Sequence, residues 1–189
     1  MNQGFPPDLL TKRKKYRREL LESGKAFTDI HVAILGGSTT HDVKDALELL
    51  LLREGIRCEF YESEYGQYWQ DAMFPNQELT AFKPDVIYIH TSLRNIPRFP
   101  LLSDSAGDVD KLFEETYNHF AVMWNKIRDT YGCPIVQNNF EYPFWRLLGN
   151  RDAADIHGRV YFVTHLNLKI AEYAQAHDNF YINDINYLS

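Results

Sequence analysis

A chain of 189 residues, 44% hydrophobic and 24% charged, is long enough for one sizeable core and short for two, so one globular domain is the default expectation. Its longest wholly apolar runs, such as Leu49 to Leu52, fall far short of the roughly 20 residues a membrane helix needs. The net charge is −6, yet residues 12–18 (KRKKYRR) hold six bases and leave −12 elsewhere; a nucleic-acid reader would spread basic and stacking residues over its fold.

The basic run reads as the solvated face of a first helix with Leu9, Leu10, Leu20 and Leu21 at its ends; a phosphate or acidic-partner patch is the minority alternative. MNQGFPPDLL has neither a basic start nor an apolar h-region, which leads to the expectation of a cytoplasmic chain without a secretory signal. Residues 1–28 are taken as this helix and a linker, and residues 29–189 as the folded domain.

Beyond residue 29, short β-type runs alternate with longer helical ones. Strand one is expected over Ile30 to Leu35. A helix follows from about Asp42, with Val43, Ala46, Leu47, Leu50 and Leu51 on one stripe and Gly55 closing it. Strand two is Ile56 to Tyr61. One or two brief helices lead to strand three, Asp85 to His90, apolar enough to be buried on both faces. The stretch from Thr91 to Asp108 is a long loop, a candidate lid carrying Arg94, Asn95 and Arg98. A long helix from about Val109 to Tyr131 buries Leu112, Thr116, Phe120, Met123 and Ile127, and strand four is Pro134 to Gln137. The last helix carries Val160, Val163, Leu166, Ile170 and Tyr173, and strand five is Phe180 to Ile182.

Five strands separated by crossovers imply an α/β three-layer sandwich: a doubly wound parallel sheet of order 2-1-3-4-5, flavodoxin-like in topology. Ligands of such sheets bind outside the carboxyl ends of the strands. That rule nominates the turn of Gly36, Gly37, Ser38, Thr39 and Thr40, then Thr91, Arg94 and Asn95, then Asn138 and Asn139.

GGSTT (36–40) opens a helix and offers amides and hydroxyls to an anion or developing oxyanion; equally, Ser38 or Thr40 is an ordinary helix cap. It is neither a Walker loop nor a dinucleotide fingerprint. Its hydroxyls are similar to the phosphate loop of flavodoxins, so a flavin is a distant alternative, although no cofactor is expected. In EYGQYWQ (64–70) the Gly66 amide is a candidate oxyanion donor, against the more frequent fate of Tyr65, Tyr68 and Trp69 as cover for the sheet edge. Asn138 and Asn139 either cap loop backbone or donate to a substrate oxygen. In DIHG (155–158), Asp155 reads as the cap of the last helix; the sharper option makes His157 a general base. His41, His90, His119, His165 and His177 lack ligand-like spacing and read as structural or surface residues. Cys58 and Cys133 are too few and too scattered for a disulfide framework or a zinc site, and no metal is expected.

Together HVAILGGSTTHDVKDALELLLLREGIRCEFYESEYGQYWQD, FKPDVIYIHTSLRN, QNNFEYPFWRLLGN, DAADIHGRVYFVTHLNLKIAEYA and NFYINDINYL resemble the amino-terminal region of FkbH-like bacterial proteins, from about Ile30 onward. The resemblance implies an SGNH (GDSL-type) hydrolase-like domain, followed in that family by a haloacid-dehalogenase-type phosphatase domain. No DxDxT motif occurs here, so the chain resembles an excised domain. It also implies methoxymalonyl or glyceryl biosynthesis on an acyl carrier protein from a phosphorylated three-carbon donor, with these two as partners. Carried over residue by residue, Ser38 takes the nucleophile position with Gly37 where the hydrolases have Asp, and Gly66 is the oxyanion glycine. Thr91 and Asn95 stand near the place of the hydrolases' Asn block. Asp184 is near the final acidic position, but no His follows His177, so the pattern leaves Ser38 without its base unless His157 substitutes. The expectation is a substrate- or carrier-binding module; the alternative is a serine esterase or acyltransferase.

Overall fold

A computed structural model describes Asp8, residues 11–74 and residues 76–188; Leu9 and Leu10 lie outside the described residues. Helix α1, Arg13–Leu21, buries no residue, as a solvated basic face requires. Its inner side is held by charge: Arg13 pairs with Asp45, and Arg17 Nε donates to Glu48 Oε1 at 2.7 Å.

The remaining elements follow in chain order: β1 (Thr28–Gly36), α2 (His41–Arg53), β2 (Ile56–Glu62), α3 (Tyr68–Met73), α4 (Gln77–Phe82) and β3 (Val86–His90). Then come α5 (Ala106–Tyr131), β4 (Ile135–Asn138), α6 (Arg159–Ala176) and β5 (Phe180–Asn183). All strand pairs are parallel, in the order β2-β1-β3-β4-β5 expected from the sequence.

Most of the core lies on one side of the sheet. Ala33, Leu35, Ile87, Ile89 and Ile135 point there and meet α3 to α6 through residues that include Leu79, Phe120, Trp124 and Leu166. The predicted stripes of α5 and α6 are all buried. The other side carries α2, which buries only Leu49 and Leu52 fully.

Two boundaries differ from expectation for identifiable reasons. Helix α5 starts at Ala106 because Ser105 and Asp108 form a reciprocal capping box, Asp108 N–H donating to Ser105 Oγ and Ser105 N–H to Asp108 Oδ2. Helix α6 starts at Arg159, and its cap is Asp152 rather than Asp155: the buried Asp152 carboxylate accepts from Val160 N–H at 2.7 Å, and its carbonyl accepts from Tyr161 N–H. A side chain on Gly158 would collide with the Asp152 carbonyl, which explains the glycine in DIHG.

Candidate functional site at the carboxyl edge

Parallel register places Gly36 beside His90, so the turn after β1 and the end of β3 share one edge position. Gly37 N–H donates to the His90 carbonyl at 2.9 Å and ties the GGSTT turn to that strand. Both glycines are required by close approach. A Cβ on Gly36 would lie 2.6 Å from Thr40 Cγ2, and one on Gly37 would overlap the Asn95 carboxamide. The second contact explains why no Asp stands at position 37: Asn95 fills that space, donating to the Gly37 carbonyl at 3.0 Å and accepting from Ser92 N–H.

Ser38 is half-buried, with Oγ 3.5 Å from Nδ1 of His90. Desolvation pushes the His90 pKa below its ordinary 6.5, ahead of the opposing influence of Glu141, so its ring is neutral at physiological pH. Tyr88, two residues earlier on the same strand face, meets the His90 ring edge-on with centroids 5.7 Å apart. From sequence, His90 reads as a structural or surface histidine and Thr91 is the residue nominated at this strand end. Strand alternation was the available signal, because residue 90 shares a face with the turn after β1 while residue 91 points into the core.

Behind this pair, α2 begins without a side-chain cap: Thr40 is the N-cap residue, is buried, and makes no capping hydrogen bond. The first-turn amides of α2 receive no side-chain cap beside Ser38 and the exposed Thr39, and Asp42 is the carboxylate that an anion there has to share the turn with. Arg94 stands on the adjoining segment; it is exposed, its guanidinium has no partner among the described residues, and its neighbour Asn95 touches Gly37.

Other nominated residues are committed elsewhere. Thr91 and Asn138 are fully buried: Gln137 Nε2 donates to Thr91 Oγ1, Asn138 Nδ2 donates to the Thr91 carbonyl, and Asn138 Oδ1 accepts from Tyr88 OH and Asn183 Nδ2. Trp124 Nε1 completes the network by donating to Gln137 Oε1 at 2.8 Å. Asn139 donates to Asp184 and accepts from Asn186 N–H, fastening the exit of β5. Gly66 adopts φ +72° with open space around its would-be Cβ, so turn geometry rather than crowding calls for the glycine.

His157 lies in the loop before α6. Its Nδ1 is 2.9 Å from Asp155 Oδ1 and its Nε2 is 3.0 Å from the Asp104 carbonyl, so both ring nitrogens serve a clasp between loops. That clasp, with the Arg98–Asp104 ion pair at 2.7 Å, fastens the 91–105 segment. Cys58 and Cys133 are free thiols pushed up by burial, Cys58 to about 11, and so are poor nucleophiles. Among the described residues there is no cluster of three or more metal-ligating side chains, and no helix long and apolar enough to cross a membrane.

These features define a doubly wound α/β domain with a polar turn and the Ser38–His90 pair at the carboxyl edge of β1 and β3. The family described as FkbH, N-terminal domain, matches residues 31–189, and the chain belongs to that family. No curated protein matches the sequence significantly. Among solved structures, the chain is similar to the N-terminal part of the protein BF1531 from Bacteroides fragilis, which contains a phosphatase domain and is complexed with Mg. The TM-score is 0.75 at 20% identity, over 94% of this chain and 46% of that one, so the likeness concerns the fold and this chain spans under half of its neighbour.

Proposed function

We propose that this chain is the substrate- or carrier-binding module of an FkbH-like protein of acyl-carrier-protein-linked biosynthesis, with an SGNH-like fold, and that it holds a phosphorylated or carboxylated three-carbon unit at the carboxyl edge around Ser38. One observation carries this reading: the uncapped start of α2 and the Ser38 and Thr39 hydroxyls stand at one sheet edge, and the exposed, unpaired Arg94 belongs to the segment that Asn95 ties to Gly37, while the carboxamides that would serve an oxyanion are spent on the protein's own backbone. The arrangement suits holding an anion more than turning over an ester. A phosphatase-like domain in the longer protein is the working partner in this account, supported by the phosphatase domain of the structural neighbour.

Calorimetric titration with phosphoglycerate tests it. Saturable binding is expected, weakened roughly tenfold in Ser38→Ala, as loss of one hydrogen bond to a charged group predicts. Absence of binding, or binding indifferent to Ser38, contradicts the reading.

A second reading rests on the Ser38–His90 contact: a neutral imidazole with its proton on Nε2 presents Nδ1 as an acceptor 3.5 Å from Ser38 Oγ, a separation that has to close to hydrogen-bond reach for general-base help, commonly worth about 10² to 10⁴ in rate. Nitrophenyl acetate hydrolysis abolished in both Ser38→Ala and His90→Ala would put this second reading first.

A further inference from the structure

On the α2 side of the sheet the described residues leave a large surface uncovered. Helices α3, α4, α5 and α6 all contribute to the core on the opposite side, whereas α2 packs beside β2 and leaves the flank of β3, β4 and β5 bare. Between them runs an apolar groove of about 620 Å³, walled by Leu47, Leu50 and Leu51 on the helix and by Val86 and Val136 on the sheet. These five side chains are only half-buried, although parallel sheets are ordinarily covered on both faces.

We infer that the groove seats one amphipathic helix, contributed by polypeptide that continues past residue 189 in a longer form of this protein, lying across β3 to β5 beside α2. Width supports a single helix, since three strands span two spacings of about 4.8 Å, comparable with the roughly 10 Å diameter of a helix. Connectivity supports this polypeptide as the source. Asn183, the last residue of β5, lines the groove itself, and the following turn is pinned there by Asn186 N–H to Asn139 Oδ1 and Tyr187 N–H to Asp184 Oδ1. A helix starting at that edge and running back along the strands covers the groove lengthwise and brings its positive end beside Asp42, which also lines it. The solved neighbour, of which this chain covers 46%, carries additional polypeptide beyond the shared domain.

Maleimide labelling of Leu47→Cys, located by peptide mass spectrometry so that Cys58 and Cys133 do not interfere, tests this in the 189-residue chain and in the longer protein. Asp129→Cys, at an exposed position on α5, is the control, and Leu50→Cys replaces the first variant should it fail to fold. The introduced groove thiol is expected to react freely in the 189-residue chain and at least about tenfold more slowly in the longer protein, a docking preference of about 1.4 kcal/mol, with the control unchanged. Equal labelling in both overturns the inference, as does protection already present in the 189-residue monomer. Protection of the 189-residue chain that grows with concentration overturns it in favour of a second copy.

Discussion

His90 ends a central strand with its ring drawn out of water, and burial favours its neutral form; His157 sits in a loop clasp, where the Asp104 carbonyl and then the Asp155 carboxylate favour its charged form. The signs of their linkage to stability therefore oppose. His90, lowered in the fold, contributes stability above its ordinary 6.5 that is lost as pH falls through its folded value. His157, raised in the fold, contributes below 6.5 and loses that contribution as pH rises through its folded value. In an NMR titration the His90 ring should titrate below 6.5 and the His157 ring above it; the reverse order would contradict the assignments. The place of Ser38 at the carboxyl edge was legible from its position after β1, whereas the imidazole beside it was legible only through strand alternation, because the histidine of the SGNH pattern lies far downstream and His90 carries no motif of its own.

At the scale of elements, the alternation of β-type and helical runs was readable because the stripes of α5 and α6 are long and regular, α6 burying Val160, Val163, Leu166, Ile170 and Tyr173 as its periodicity requires; in α2 the expected stripe of Val43, Ala46, Leu47, Leu50 and Leu51 is only half-buried and Leu49 and Leu52 are the buried pair, because α2 is packed from one flank of the sheet. Caps reached through a loop were harder to read. Asp152 stands seven residues before α6 yet serves its first turn, a relation that requires the loop to fold back and that no local spacing announces. Asp152→Ala should therefore cost about 2 kcal/mol in denaturant unfolding, because it strands the buried Val160 N–H as well as Leu148 N–H. Gly158→Ala should destabilise too, through collision with the Asp152 carbonyl. Unchanged midpoints in both variants would show that the loop is not the anchor of α6.

For the whole molecule, strand order followed from chain order and crossover handedness, so which residues stand at the carboxyl edge was available before their contacts were. Thr91 and Asn138 show the limit of that rule: Thr91 follows β3 and Asn138 ends β4 at the correct edge, but both are buried in a network reaching Trp124 and Tyr88, which position alone does not reveal. Arg94 and the α2 amides remain open, and on them rests the claim that this edge receives an anionic three-carbon group. Amide chemical-shift mapping of the isotopically labelled chain during titration with phosphoglycerate tests that claim most directly. Saturable shifts concentrated at residues 37–43 and at Arg94 are the predicted result; shifts confined to the basic helix α1, or none at saturating ligand, would contradict it.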